Sequence, residues 1–329
     1  MSAPRRPLPP PLKLPEPGFG RRTPPALFAP LMGLFGLGLA WRAAGSAYGA
    51  LEGFGDLILG ATALLYLFVL VSWLAKPLRR PGVIGEELRV LPGRTGLAAA
   101  SLGLMLLSTA LAPLAPWLGF GLALLAFVLH LLLVAVFVRI LWLGPPEGRV
   151  VSPEWHLVFV GFIIGGLTAS MLGAHLVAQA LVWLMLVPAG VIFAVSLWQF
   201  LKARPPAPLR PLLAIHLAPL CLFALVAHGA GIAVAPVFAA LAGAMFVVLL
   251  ISVPWLTQAG FTPLWGAFTF PLAAFANVLV TLSGGEGLLG MAAAGTLVLA
   301  TGAVGVIAWR IFQLWPGGKL AAKTNAAEA

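Results

Sequence analysis

The side chains in this chain that could carry chemistry are few: His130, His156, His175, His216 and His228, the acids Glu52, Asp56 and Glu286, Ser170, and the single cysteine Cys221. A haem-carrying membrane protein needs two axial histidines facing each other at matching depth. Only His130 and His216 fall near the middle of apolar stretches, and their spacing does not recommend them. Metalloprotease chemistry calls for a pattern such as H-E-x-x-H on a helix, which no histidine here has. Serine or aspartyl proteolysis also lacks a set, because no aspartate pair lies in an apolar run and Ser170 has only a loose partner in His175. Glu52 and Asp56 stand four apart on one helical face and could form a proton or cation site. Acids at a helix N-terminus are favoured by the dipole alone, which is the simpler reading. Glu286 falls in a short loop. Cys221 sits in an apolar run as a packing residue, and a lone cysteine excludes an internal disulfide. No catalytic set, metal site or cofactor is expected. Ion-coupled pumps hold a carboxylate, lysine or arginine deep in the membrane, and none is found. Passive passage is therefore easier to build than stoichiometric proton coupling.

The elements that must position these residues are apolar throughout. Hydrophobic residues make up 61% of the 329, charged residues 9%. A helix crosses the hydrocarbon core with about 20 apolar residues. Ten stretches qualify, at roughly 24–45, 50–75, 95–114, 116–143, 155–173, 175–201, 209–229, 232–253, 263–283 and 287–313. The reading is an all-α integral membrane protein with ten transmembrane helices (residues 24–313). It is flanked by a Pro- and Arg-rich tail (1–23) and a short C-terminal tail (314–329). The first tail carries Pro4, Pro7, Pro9, Pro10, Pro11, Pro15 and Pro17 among basic residues. It has no apolar core of a signal peptide and reads as an extended cytoplasmic segment.

Basic residues set the orientation. With the N-terminus in the cytoplasm, every Lys and Arg of the nineteen except Arg42 lies on the cytoplasmic side, and an even helix count returns the C-terminus there. The expected location is the inner (plasma) membrane, multi-pass, with both termini cytoplasmic. The net charge of +10 is then a collar facing lipid headgroups and small anions rather than nucleic acid.

Alternate stretches differ in kind. The first contains ALFAPLMGLFGL, the seventh IHLAPLCLFALV and the ninth AFTFPLAAFANV, placing Pro30, Pro219 and Pro271 at similar depth. A mid-helix proline removes a backbone donor and kinks the helix, and in lipid the freed groups need protein or water in a cavity. Three matched kinks imply an inner layer of helices around a central path. The third stretch adds Ser101, Ser108 and Thr109. The fifth adds Gly161, Gly165, Gly166, Thr168 and Ser170, small residues that let backbones approach. The eighth has no polar side chain from Gly231 to Ile251, as expected of a lipid-facing helix. His130 and Gln179, on the fourth and sixth, make the contrast a tendency.

The segment from Trp255 to Asn277, WLTQAGFTPLWGAFTFPLAAFAN, resembles the ninth-helix region of the tellurite-resistance/C4-dicarboxylate transporter family, which includes bacterial tellurite-resistance channels and plant guard-cell slow anion channels. PLMGLFGLGLAW in the first stretch and LAPLCLFALVAHG in the seventh support it, so the resemblance covers residues 24–313. It implies five helical hairpins around a central pore with the odd helices inside, one pore per protomer of a homotrimer, and a phenylalanine on the ninth helix that occludes the pore. The matching residue is Phe270, with Phe268 the close alternative; ordinary packing is the other reading of either. The function implied is an anion channel or channel-like anion transporter for small inorganic or carboxylate anions. The alternatives are a proton-linked dicarboxylate or sulfite/tellurite exporter of the same fold and, more remotely, a membrane-embedded enzyme or haem protein. An anion in this pore would meet no fixed cation within the membrane; backbone groups freed at the three prolines, small hydroxyls and the basic collar would stabilise it.

Overall fold

Apolar stretches of this length satisfy their backbone groups by folding as helices, and no strand occurs among the described residues. The computed structural model describes residues 18–49, 53–145 and 149–329. The prolines of the N-terminal tail and Glu52 lie outside them.

The chain runs through α1 (Phe28–Tyr48, led by a 3-10 turn Pro25–Leu27), α2 (Phe54–Arg79), the short α3 (Val83–Arg89), α4 (Leu91–Leu111) and α5 (Pro116–Leu143). A π turn (His156–Val160) and a 3-10 turn (Gly161–Ile164) lead into α6 (Gly165–Met171), followed by α7 (His175–Lys202). A 3-10 segment (Ala207–His216) precedes α8 (Leu217–Gly229); then come α9 (Ala235–Ile251), α10 (Val253–Leu256), α11 (Gly266–Ser283, led by Pro263–Trp265), α12 (Gly287–Gln313) and α13 (Lys319–Thr324). Eight of these helical stretches are long and apolar enough to cross a membrane, and two shorter apolar ones, His156–Met171 and Ala235–Ile251, complete the series.

Burial alternates along the chain. In the stretches Pro25–Tyr48, Leu91–Leu111, Ala207–Gly229 and Pro263–Ser283 the apolar window is 72, 83, 72 and 61% buried, whereas in α2, α5, α7 and α12 it is 33, 17, 17 and 33%. The second group turns large apolar side chains outward, among them Leu64, Trp117, Leu131, Leu184 and Leu288. The buried group and α6 form a closed circuit: α1 packs on α4, α4 on α6, α6 on α8, α8 on α11, and α11 on α1. Glycines permit this closeness. A Cβ on Gly33 would lie 2.3 Å from the Thr269 Cβ, one on Gly96 2.3 Å from the Pro25 carbonyl, and one on Gly166 2.6 Å from Val226. Outer helices are tied on by polar bonds: Tyr66 donates to the Ala100 carbonyl (2.7 Å), Trp41 to Thr301 (3.0 Å), Tyr48 to the Gly290 carbonyl (2.8 Å) and Gln179 to the Ala230 carbonyl (3.0 Å).

Some boundaries differ from the hydropathy reading for a physical reason. α2 continues past residue 75 because the Lys76 ammonium is buried against Glu87 of α3 and the Thr23 carbonyl. α4 starts at Leu91 with Pro92 in its first turn, and Arg94 within that turn reaches the buried Glu154 carboxylate at 3.4 Å. Charges that looked like loop residues are paired inside the protein. The prolines differ too. Pro30 and Pro219 occupy the first turn of α1 and α8, where 3-10 geometry gives way to α. Pro219 thus lies inside the continuous helical stretch Ala207–Gly229 at a change of helix type, Pro30 near the start of Pro25–Tyr48, and Pro271 inside α11.

Both described ends share one face. Arg22 pairs with Glu328 at 3.2 Å, the Ala329 amide donates to the Arg21 carbonyl, and Arg79 and Arg80 of the α2–α3 turn bond Phe19 and Glu328. We call this the basic face. α13 folds back there, with Leu320 fully buried.

Candidate functional site

The five inner elements line a chamber with a smaller cavity beside it and, beyond a partition, a third cavity. The chamber nearer the basic face has a volume of about 50 Å³ and is lined from α1 (Ala29, Met32), α4 (Thr95, Leu102), the His156–Ile164 turns, the α8 segment (Pro219, Leu222) and α11 (Phe270, Pro271). A smaller cavity of about 20 Å³ shares Ala29, Thr95 and Ala267 with it and adds Pro92 and Pro263 towards the basic face. The far cavity, about 300 Å³, is lined by the opposite ends of the same five elements, including Arg42, Thr109, Ser170, His228 and Asn277. On each element the two linings are separated by one or two helical turns: Met32 to Leu39, Leu102 to Thr109, Ile164 to Leu167, Leu222 to Leu225, and Pro271 to Asn277. That partition is tightly packed, with Met105 and Thr109 fully buried.

Phe270 lies on the chamber side of the partition, 7% exposed, its ring against Gly36 of α1, where a Cβ would come within 3.2 Å. Phe268 is not in the lining; it is half-buried and packs edge-on against Trp265 with ring centroids 5.9 Å apart. Pro219 and Pro271 border the chamber, whereas Pro30 is turned into the α1–α11 seam beside Gly266 and its neighbour Ala29 takes the lining position. Pro271 removes the donor that would meet the Ala267 carbonyl, and Ala267 also lines the chamber.

Three polar groups line the cavities and the partition between them. In the partition, the Thr168 hydroxyl lies 2.8 Å from both Ser108 and Thr109. In the far cavity, Arg42 bonds Asp56 and the Ala110 carbonyl (3.0 Å). This corrects the expectation that no fixed cation faces the path: Arg42 is a membrane-helix arginine on the cavity wall, and Asp56, read alone as an N-terminal acid, is its counter-ion. At the chamber, His156 and His216 join ring to ring, Nε2 to Nδ1 at 3.0 Å. The pairing of His130 with His216 does not occur; His130 instead uses both nitrogens on Ser101 (2.8 Å) and the Val158 carbonyl (3.0 Å). Ser170 donates to the Gly166 carbonyl rather than meeting His175. The sequence reading did not bring His156 and His216 together: it placed His156 at the start of its stretch and His216 near the middle of another.

Beside the pair, burial pushes the Glu154 carboxyl above the ordinary carboxylate range, opposed by the Ser152 hydroxyl and by Arg94. No curated protein matches the chain. A family model does, the one described as the voltage-dependent anion channel (SLAC1), over residues 22–312, which spans α1 to α12 and every residue of these cavities. With a buried helical circuit, stacked cavities and a match across the whole membrane body, the chain belongs to the voltage-dependent anion channel family.

Proposed function

We propose that the protein is an anion channel or channel-like anion transporter whose path runs through the inner circuit of each protomer and is occluded by Phe270. One observation carries this reading: five inner elements line two cavities in series, and Phe270 projects into the first at the partition between them. A ring in a narrow apolar passage stops ions by bulk and by dewetting. Anion preference would come from Arg42 at the far mouth and from the basic face, which raises local anion concentration. The ten apolar helices are read as five hairpins, odd members inside, and the 24–313 span as the channel unit. On this reading the basic face is cytoplasmic and the membrane is the plasma membrane. Three copies would associate through the apolar outer helices, which crosslinking in mild detergent tests.

A proton-linked dicarboxylate or sulfite/tellurite exporter of the same fold is the second reading, favoured by the protonatable His156–His216 pair at the chamber. The test is flux in liposomes containing purified protein, measured for chloride, nitrate, sulfite, tellurite and malate. Passive passage of several anions supports the channel; movement of malate or sulfite only with a proton gradient supports the exporter; no flux of any anion refutes both.

A further inference from the structure

The chamber beside Phe270 is almost wholly apolar. Its polar side chains are Thr95 and His156, and the Thr95 hydroxyl already donates to the Leu91 carbonyl at 2.8 Å. His156 is different. It is 3% exposed and borders the chamber, and its Nδ1 has no hydrogen-bond partner although Nε2 is held by His216. Phe193 of α7 packs on both imidazoles, with centroids 4.7 Å from His156 and 5.2 Å from His216, and keeps the pair in register. A buried polar atom without a partner is costly in a native protein, and here it belongs to a residue that borders a cavity.

The chemistry of the pair says what it could hold. A neutral pair has one proton between the facing nitrogens and one on an outer nitrogen. In one tautomer the Nδ1 of His156 is a lone pair; in the other it is an N–H donor. Adding a proton removes the choice. With the inner position shared, both outer nitrogens carry hydrogen, and Nδ1–H becomes a charge-assisted donor. A chamber of about 50 Å³ admits one or two water-sized species, so it suits a small ion such as chloride or nitrate.

We propose that His156 and His216 form a protonatable binding site for one small monovalent anion in the chamber beside Phe270, so that anion occupancy and proton uptake at the pair are coupled. The anion favours the charged pair and the charged pair favours the anion, by equal factors. No covalent step is involved: the proton comes from water on the basic-face side and returns there when the anion leaves. The other charged and titratable groups around the pair are held by their own neighbours. Arg94 of α4 and Glu154 pair with each other at 3.4 Å. His130 of α5 is committed to Ser101 and the Val158 carbonyl. Arg210, on the same segment as His216, turns to Trp255 and Gln258, and Lys202 at the end of α7 stacks over Trp198. The helices α1 and α11 bring no charged side chain to the chamber.

The site rests on the channel reading only for its place on the route, and its test separates the two. Full-length protein in detergent, lightly buffered, is given potassium chloride or, as an ionic-strength control, potassium gluconate, and proton uptake is followed. The same protein in liposomes is assayed for chloride flux as the pH on the basic-face side is lowered. The expected result is proton uptake with chloride and not with gluconate, and chloride affinity rising up to about tenfold per pH unit where the pair titrates. His156→Gln should abolish both effects. His216→Gln, which removes the shared proton, should do the same and serves if His156→Gln fails to fold by size-exclusion. Proton uptake that persists unchanged in the folded variants, or is absent from the wild type, overturns the site. Uptake without flux at any pH, in wild type and Phe270→Ala alike, sustains the site and refutes the channel.

Discussion

Replacing Phe270 by alanine separates a gate from a core residue, because the two roles predict different energies and different fluxes. In a closed core, Phe→Ala costs about 3–5 kcal/mol. Part of that is the void: at about 24 cal/mol per Å³, a lost ring of roughly 100 Å³ accounts for about 2.4 kcal/mol. Phe270 already borders an open chamber of about 50 Å³ that leads towards the basic face. The new space joins that chamber and can take up water, so the void contribution largely falls away. The remaining loss is about 0.5–2.5 kcal/mol. Flux should move the other way. Lowering the barrier by about 1.4 kcal/mol is a tenfold gain, and removing the ring that fills the passage should give at least that. The assay is chloride flux per folded protomer in liposomes beside thermal unfolding in detergent, with Phe268→Ala as the comparison. Since Phe268 packs on Trp265 outside the lining, its truncation should leave flux near the wild-type level. A Phe270→Ala protein that loses 3–5 kcal/mol with unchanged flux, or a Phe268→Ala protein that opens equally, would refute the reasoning.

Other consequences concern the scaffold. Glu87→Gln strands the buried Lys76 ammonium and should cost about 3–5 kcal/mol, while the double change Lys76→Met with Glu87→Leu should recover most of it; thermal unfolding reads both. Because burial raises the Glu154 pKa, the folded protein binds that proton more tightly than the unfolded chain. Its contribution is full below the ordinary carboxylate pKa and is lost as pH rises through the folded-state value. Glu154→Gln should therefore flatten the fall in melting temperature as pH rises above the ordinary carboxylate pKa. Gly33→Ala would drive a methyl into Thr269 across the α1–α11 seam and should cost about 1–3 kcal/mol. Gly60→Ala, with nothing within 4 Å, should cost nothing.

Hydropathy revealed the apolar stretches well because lipid imposes one solution on the backbone, and the alternation of inner and outer helices could be read from where prolines, glycines and hydroxyls recur. Long-range pairings could not be read that way. Lys76 and Arg94 looked like loop charges because their partners, Glu87 and Glu154, sit on other elements. Arg42 stood out as the lone base away from the collar, yet its place on the cavity wall depends on how α1 rotates against α4 and α11. His156 and His216 are 60 residues apart and meet because the π turn and the 3-10 segment bring both to one depth; an α-helical reading of either stretch would misplace the ring. For the same reason hydropathy does not show that Pro30 and Pro219 lie near junctions between helix types: the sequence does not announce where 3-10 geometry gives way to α.

The central claim is that anions cross inside the circuit of α1, α4, α6, α8 and α11. Cys221 is fully buried in α8, so single cysteines can be added against a quiet background. Asn277→Cys places a thiol in the far cavity, and Leu299→Cys places one on the exposed outer face of α12. Chloride current through Phe270→Ala channels carrying each change is recorded while a negatively charged, water-soluble thiol reagent is added. The account predicts rapid loss of current at Asn277→Cys and none at Leu299→Cys. Unaltered current after complete labelling of Asn277→Cys, or block from the outer face alone, would contradict it.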